Sequence, residues 1–457
     1  MQLCTVPKSL LNPVIQLQVL FYSILTNLGI PLAIGFEEFG KFVLITSGVL
    51  LAARLCEATY DTYVLNVVND KGDIAFDFVI RDALIKKSVA SLALGSILAT
   101  IFAKGYLVLP LLFLSAITIQ QFLFSCLYAF DNRMDILKIY FVMIAGVIFL
   151  LTIGYVYEMS GETFVWLMTG HNFVAAAVAF YFLPHLKSNS YKPVFTTRRQ
   201  VAFATMALSP NLINTGIVTI AGLVLNPTAL GVVRFSISTV KASVSLFPIN
   251  PRTVFVRAIS ENSTSSQVAL KNGVLFIIFV LFVPVLFIPS IIDIFGKHSS
   301  FFFDEDISHL IRWQISLFSP SLSMFVWVTI NERLILAYGG EKKATRVNYV
   351  TAPLILICSF VFIQFSEFGV ALSVFCCCTI FVLTSQVLVL SNTGRFPSSE
   401  IFLFGTIVFL SALNFLLYGL VLLFSQALIY SALLMVFWRQ HFSVAKSLIF
   451  QKRFNIF

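Results

Sequence analysis

Long apolar stretches, separated by short polar turns, run through almost the entire chain of 457 residues. A helix that crosses the hydrocarbon core of a membrane needs about 20 mostly apolar residues. The last apolar run predicts either two helices, with a weak break at Ser425 and Gln426, or one long tilted helix. With two helices there, the pattern predicts fourteen spans near residues 13–35, 42–68, 85–103, 106–130, 136–157, 163–184, 201–224, 229–255, 272–295, 309–337, 347–366, 369–391, 400–421 and 424–438.

The composition is that of a membrane protein. Hydrophobic residues make up 58% of the chain and charged residues only 11%, whereas about 25% of the residues in soluble domains are charged. No polar stretch is long enough to form a soluble domain, and the residues before the first helix lack a signal-peptide cleavage site. The chain is therefore expected to be an all-α polytopic membrane protein.

Basic residues fall mainly on one side of the predicted membrane. Of the 30 lysines and arginines, 22 lie in alternate loops or at the termini, whereas the other loops contain only Lys41, Lys104 and Lys297. Because cytoplasmic loops are enriched in Lys and Arg, this pattern predicts that both termini are cytoplasmic. The net charge of +9 therefore indicates cytoplasmic loops and not nucleic-acid binding.

A repeated motif indicates two related halves. The N-x-G-I motif occurs at residues 27–30 and 214–217, and each copy precedes a short turn and a glycine near the start of the next helix. Six helices per half is an even number, so both halves have the same orientation in the membrane. The predicted organisation is an N-terminal six-helix lobe (1–184), a cytoplasmic linker (185–200), a C-terminal six-helix lobe (201–391) and an extension of one or two helices with a basic cytoplasmic tail (392–457).

Charged residues interrupt the apolar pattern at matching places in the two halves. At about 100° per residue, four polar residues lie within roughly 80° of one another on the second helix: Ser47, Arg54, Glu57 and Asp61. On the eighth helix, Arg234, Ser238, Lys241 and Ser245 lie within about 60° of one another. A charge at bilayer depth is unfavourable, so aligned charges are expected to face protein or water. Three cations against two acids predict a water-filled central cavity of net positive character.

Other interpretations stay open for these positions. Arg54 and Glu57 alone could form a structural ion pair, which would leave Asp61 as a surplus carboxylate. Asn211 and Asn214 follow a proline in the seventh helix, and they either line the same cavity or pack against neighbouring helices.

Several further polar residues within the predicted helices are interpreted as structural. Arg312 lies near an end of the tenth helix, where its long side chain can reach the membrane surface. Polar side chains also commonly link membrane helices, and four residues are interpreted in this way: Gln120, Gln121, His171 and Asn172.

The sequence contains no constellation typical of an enzyme, a cofactor site or a metal site. Its five histidines are dispersed, its seven cysteines lack metal-ligand spacing, and it has no P-loop, H-E-x-x-H or G-x-S-x-G motif. We therefore expect no catalytic residues, no bound metal and no cofactor. Without an ATP site, uphill transport would depend on an ion gradient, on the membrane potential or on consumption of the product.

Three segments of the chain carry a resemblance to a known family. "IPLAIGFEEFGKFVLITSGVLLAA" resembles the first two helices of Wzx-type polysaccharide flippases, and "LVLNPTALGVVRFSISTVKASVSLFPINPRTVFVRAIS" resembles the entry to their second lobe. "ILAYGGEKKATRVNYV", followed by "FSEFGVALSVF", is similar to the region of their tenth to twelfth helices. This family belongs to the multidrug/oligosaccharidyl-lipid/polysaccharide exporter superfamily, abbreviated MOP below.

The resemblance implies two six-helix lobes around a central cavity that opens alternately to either side of the membrane. It implies as substrate an undecaprenyl-diphosphate-linked oligosaccharide of O-antigen, capsule or exopolysaccharide biosynthesis, moved between leaflets of the bacterial inner membrane. Arg54, Arg234 and Lys241 would then bind the anionic substrate. The acids Glu57 and Asp61 make the cavity less cationic than simple anion capture requires.

We therefore expect a lipid-linked oligosaccharide flippase in which Glu57 or Asp61 binds a coupling proton or cation. Its expected partners are membrane lipids, and a polysaccharide polymerase and glycosyltransferases of the same pathway; nucleic acid is not expected. The alternatives are a multidrug–cation antiporter of the same superfamily, which would favour carboxylates over Arg234 and Lys241, and an O-antigen polymerase or ligase. Such enzymes typically carry a large extracytoplasmic loop, and this chain has none.

Overall fold

The computed structural model describes residues 8–71, 84–129, 133–183, 205, 208–245, 287–288, 307, 309–321, 341–365, 367–393, 398–417 and 419–449. Every regular element in these ranges is helical, and none of them is a strand. The predicted all-α fold is therefore confirmed.

The helices follow the predicted succession of spans. Within the described ranges, six contain a stretch long and apolar enough to cross a membrane. The elements are α1 (Lys8–Ile24), the π-helical turn π1 (Leu25–Gly29), α2 (Ile30–Ile34), α3 (Phe36–Lys71), α4 (Ile85–Phe102), α5 (Val108–Ala129), α6 (Arg133–Val156), α7 (Gly161–Tyr181), α8 (Leu208–Asn211), the π-helical turn π2 (Leu212–Gly216), α9 (Ile217–Val224), α10 (Pro227–Ser245), a helical segment at 309–321, α11 (Glu341–Ile363), α12 (Glu367–Thr393), α13 (Ser398–Leu416) and α14 (Gly419–Ile449).

The chain forms two compact units, of which the first comprises Met1–Gly231 and the second Val232–Ile456. The predicted linker and both of its ends, at residues 184–201, lie outside the described residues. The predicted lobe boundaries therefore stay a prediction.

Helix α3 is the central helix of the first unit. Its Phe36–Cys56 stretch is 67% buried, more than any other candidate span in the described residues, and it packs against α4, α5 and α7. Apolar side chains fill the space between α5, α6 and α7, with Phe122, Leu127 and Ile136 fully buried. On the outer surface of α6, by contrast, side chains such as Phe149 are 64% exposed, as expected for a helix that faces lipid.

The repeated N-x-G-I motif has the same local structure in both halves. Residues 27–29 end the π-helical turn π1, residues 214–216 end π2, and each turn leads into a short α-helix, α2 or α9. A π-helical turn contains an extra residue, is uncommon and often marks a functional site. Its presence at both copies of the motif supports the predicted relation between the halves.

The C-terminal extension consists of two helices, so the alternative of one long helix is wrong. Helix α13 ends at Leu416 and α14 begins at Gly419, so the predicted break at Ser425 and Gln426 lies inside α14. Within α14 the polar side chain of Gln426 is buried and satisfied, because its Nε2 donates to Asn414 Oδ1 of α13 at 2.8 Å.

Candidate functional site

The structure brings together two of the residues predicted to bind substrate. Arg54 lies on α3, and its side chain is exposed. Asn211 is the last residue of α8, and its Nδ2 donates a hydrogen bond to the backbone oxygen of Arg54 at 3.1 Å. An amide predicted to line the cavity is thus attached to the helix turn that carries Arg54.

The other predicted site residues are described mainly through their helices. Glu57 and Asp61 lie in the continuous helix α3, Asn214 lies in π2 and Lys241 lies in α10, but the side chains of these four are outside the described residues. Arg234 lies on α10 in the second unit and is half-buried. Because α3 and α10 are unbroken over the charged positions, the predicted alignment of the charges on one face of each helix is retained.

The face of α3 that carries Arg54 changes from buried to exposed along the helix. Gly40, Ser47 and Arg54 recur every seven residues, a spacing that keeps them within about 40° of one another on an α-helix. Gly40 is in backbone contact with α10, Ser47 is only 3% exposed, and the Arg54 side chain is exposed. This face is therefore closed at the Gly40 end and open at Arg54.

Two helix starts cross in backbone contact at the closed end. A Cβ atom added at Gly40 would collide with the carbonyl of Pro227, and one added at Gly231 would collide with the carbonyl of Phe36. Phe36 and Pro227 are the first residues of α3 and α10, and each glycine lies four residues further on. These four residues form the Gly40–Gly231 crossing. The contact is reciprocal, because the glycine of each helix packs against the carbonyl of the first residue of the other helix.

Polar contacts attach α7 to the start of α3. Glu38 Oε2 accepts a hydrogen bond from the backbone N–H of Gly161, the first residue of α7, at 2.7 Å, and its other carboxylate oxygen binds Lys41. Tyr106, in the turn between α4 and α5, lies close to the carboxylate of Glu162 on α7. The adjacent carboxylate disfavours a phenolate and raises the pKa of Tyr106 above its ordinary value.

The sequence interpretation missed a fully buried lysine. Lys87 belongs to the predicted span 85–103 and to the basic residues of the cytoplasmic side, but its burial is not predicted: it lies in the first turn of α4 with 0% exposure, and its Nζ lies 5.9 Å from the centroid of the Phe122 ring. Lys87 begins a buried row with Ser91, Gly95 and Ala99. The four-residue spacing of these small residues was a signal in the sequence that Lys87 faces the protein interior.

Arg312 is buried, so the prediction that it extends to the membrane surface is wrong. It is 5% exposed, and its guanidinium donates to the backbone oxygens of Asn414 at 2.8 Å and Leu417 at 2.9 Å. These carbonyls lie at the end of α13, where a helix lacks internal donors. Arg312 therefore caps α13, which explains its burial.

Two findings bear on the residues interpreted as contacts between helices. Gln120 Nε2 of α5 donates to Met143 Sδ of α6 at 3.5 Å, as the interpretation requires. The ring of His171, in contrast, has a buried Nε2 without a hydrogen-bond partner among the described residues.

No family model matches the chain, and no curated protein matches it in sequence. The structure is similar to the solved structure of the lipid II flippase MurJ in an inward closed conformation, with a TM-score of 0.57 and 16% identity over 94% of this chain and 98% of that chain. It is also similar to a eukaryotic MATE transporter, with a TM-score of 0.46 and 13% identity over 88% of this chain and 96% of that chain. A MOP superfamily transporter from Pyrococcus furiosus matches with a TM-score of 0.45 and 11% identity over 86% and 98%.

The chain shares the fold of the MurJ flippase. With its long apolar helices, it is an integral membrane protein. The resemblance to Wzx-type flippases in particular stays a prediction.

Proposed function

We propose that this protein is a MOP-superfamily flippase that moves an undecaprenyl-diphosphate-linked oligosaccharide across the bacterial inner membrane by alternating access. The product would enter the biosynthesis of a surface polysaccharide such as O-antigen, capsule or exopolysaccharide. The observation that supports it most is the face of α3, which is closed at the Gly40–Gly231 crossing and exposed at Arg54. A transporter that opens alternately to the two sides needs such an arrangement.

The charges of the candidate site suit a diphosphate. Arg54, Arg234 and Lys241 would bind the phosphate oxygens, since charge-assisted hydrogen bonds from Arg and Lys to phosphate are among the strongest in proteins. Asn211 and Asn214 would bind the sugars through their amide groups. The negative charge of the diphosphate would balance the net positive charge of the cavity.

The acids on α3 have a different role in the proposal. Arg54 can neutralise only one of Glu57 and Asp61 at a time. A carboxylate without a cation, partly removed from water, holds a proton more readily than one in solution. Glu57 or Asp61 would therefore bind the coupling proton or cation.

The distribution of basic residues supports cytoplasmic termini. In that orientation the Gly40–Gly231 crossing lies on the extracytoplasmic side, and Arg54 is accessible from the cytoplasm, where a lipid-linked precursor is made. A polymerase and glycosyltransferases of the same pathway would be the protein partners. Reporter fusions at residue 190 and at the C-terminus should both be cytoplasmic, and an extracytoplasmic reporter at residue 190 would contradict the orientation.

A second candidate function is multidrug–cation antiport. The observation that favours it is the pair of acids, Glu57 and Asp61, on the same helix face as Arg54. Carboxylates attract cationic drugs and coupling cations, whereas Arg234 and Lys241 would repel them.

A vesicle assay separates the two candidates. The protein is reconstituted with a fluorescent undecaprenyl-diphosphate-linked oligosaccharide, and an impermeant quencher reports the leaflet. We expect wild type to move the lipid. The double variant that combines Arg234→Ala and Lys241→Ala should move it about 10- to 100-fold more slowly, since a hydrogen bond to a charged group contributes roughly 1.5–3 kcal/mol. The exposed Arg346 of α11 provides the control Arg346→Ala. Efflux of a cationic dye without lipid movement would instead establish antiport.

A further inference from the structure

His171 lies at the centre of a membrane-spanning helix. It is the middle residue of α7, which runs from Gly161 to Tyr181, so ten helical residues separate it from either end. Ionisable side chains at this depth are rare and usually belong to a pathway for protons, ions or substrate. Histidine is also the side chain whose ordinary pKa is nearest to neutral pH.

The neighbouring helices are shaped around the imidazole ring. A Cβ atom at Gly146 of α6 would lie 2.7 Å from Nδ1 and 2.8 Å from Cε1 of His171, so only glycine leaves room for the ring at this position. On its other side the ring stacks on Tyr22 of α1, with centroids 6.3 Å apart and an interplanar angle of 20°. Tyr22 in turn packs edge-on against Tyr140 of α6.

Two buried polar atoms on α7 and α1 have no hydrogen-bond partner among the described residues. One is His171 Nε2, and the other is Oε1 of Gln18, which lies one helical turn before Tyr22 on α1. Buried polar atoms are usually hydrogen-bonded, and an exception calls for an explanation. Neutral histidine carries one N–H and the imidazolium carries two, so a ring nitrogen that no hydrogen bond occupies is available to take up a proton.

We propose that His171 is a proton-binding site in the interior of the first unit and that the proton bound there couples to transport. The proposal rests on the proposed function, to which it adds a coupling site separate from Glu57 and Asp61. The proton binds to an imidazole nitrogen, and the positive charge is stabilised by the face of the Tyr22 ring, because aromatic rings attract cations.

No described charged side chain competes for this proton at the centre of the unit. Helix α5, which packs along α7, has no charged residue, and its thiol Cys126 lies in the apolar cluster toward the other end of α7. On α3, Glu38 and Lys41 contact the start of α7 at Gly161. On α6, Asp135 and Lys138 bind each other near its first turn. Among the described side chains, the titratable groups at His171 are thus Tyr22 on α1 and, behind it, Tyr140 on α6.

Helix α1 connects His171 to the Gly40–Gly231 crossing, so proton binding at His171 can affect the crossing through α1. Tyr22 lies three residues before π1, and π1 leads through α2 and Gly35 into the start of α3. A protonated ring that attracts Tyr22 more strongly changes the packing of α1 against α6 and α7. The π-helical turn is a point where a helix can change its geometry, so the Gly40–Gly231 crossing is the element that this change would affect.

The first experiment detects the proton without any transport. Infrared difference spectra of the purified protein, between about pH 5 and about pH 8, report imidazole and imidazolium ring bands. The chain has five histidines, so His171→Gln should remove about a fifth of the titrating signal. Thr169→Val is the control on the same helix, since Thr169 is also buried and the substitution removes only a hydroxyl that bonds back to Val165. Identical titration of wild type and His171→Gln would overturn the proposal, whether or not the protein moves lipid.

The second experiment tests coupling in the vesicle assay. His171→Gln should lose the stimulation of lipid movement by a pH gradient and should still allow movement without a gradient, whereas Thr169→Val should keep both. Tyr22→Leu should lower the midpoint of the His171 titration by about one pH unit, because it removes the ring face. Full gradient stimulation in His171→Gln would show that this proton is not coupled. Absence of lipid movement in wild type would instead contradict the proposed function, and the infrared titration would still decide whether His171 binds a proton.

Discussion

The carbonyl group of Pro227 occupies the space that a side chain at Gly40 would need. The same relation holds in reverse between Phe36 and Gly231, so the first turns of α3 and α10 are in direct backbone contact. Small residues allow membrane helices to approach so closely, and such contacts replace the hydrophobic driving force that lipid does not supply. A contact of this kind has no flexible side chain that can yield, so it is either closed or broken.

Gly40→Ala should therefore break the Gly40–Gly231 crossing. Overpacking of a well-packed contact costs about 1–3 kcal/mol, so we expect a lower melting temperature in detergent and slower lipid movement. Gly170→Ala is the control, because a Cβ at Gly170 meets no atom within 4 Å and alanine favours a helix. A Gly40→Ala protein as stable and as active as Gly170→Ala would show that the crossing is not a tight contact.

Gly231→Ala should have the same effect, and the two substitutions should not be additive. Either one alone separates the two helix starts, so the second has less contact left to disrupt. A double-mutant cycle of melting temperatures measures this directly. Fully additive effects would mean that the two glycines belong to independent contacts.

Lys87→Ala should be strongly destabilising, and Lys86→Ala should not. Lys87 is fully buried beside Phe122, and the truncation removes buried carbon atoms and leaves a cavity, which typically costs about 2–5 kcal/mol in a core. Lys86 is exposed on the adjacent position of α4, where substitutions usually change stability by less than about 0.5 kcal/mol. Equal melting temperatures for the two variants would contradict the burial of Lys87.

Arg312→Leu should loosen α13. The substitution keeps an apolar side chain and removes the donors to the carbonyls of Asn414 and Leu417, and each buried unsatisfied group costs about 1–3 kcal/mol. We expect faster proteolysis between the end of α13 at Leu416 and the start of α14 at Gly419. Arg346→Leu, at an exposed position of α11, is the control, and equal proteolysis of both variants would argue against the cap.

Much of the fold could be predicted because the membrane imposes it. Apolar length places each helix, and the described helices fall where the predicted spans lie. The residues at which the helices begin and end were less predictable. Glu37, Glu38 and Lys41 were expected in a loop, but they form the first turns of α3. Their charges bind one another and the N–H of Gly161, a tertiary contact that no local pattern contains.

The candidate site was predictable where helical periodicity alone decides it. The alignment of Arg54 with Glu57 and Asp61 follows from 100° per residue, and the unbroken helix α3 retains it. The contact between Arg54 and Asn211 joins residues 157 positions apart, so it depends on how α8 packs against α3. The role of Gly146 beside His171 is likewise a packing relation, and the sequence pattern around it is simply apolar.

Asn211 provides a final prediction about the site itself. Its Nδ2 donates to the backbone oxygen of Arg54 at 3.1 Å, so Asn211→Asp, which keeps the shape and removes the donor, should loosen the turn that carries Arg54. The net contribution of one hydrogen bond to the free energy of unfolding is about 0.5–1.5 kcal/mol, so the stability of the protein should change little. In the vesicle assay we expect a several-fold weaker apparent affinity for the lipid-linked substrate, with the maximal rate less affected. Asn211→Gln keeps a donor and should restore part of the affinity. If both variants lose the same affinity, the side-chain volume at position 211 matters and the hydrogen bond does not.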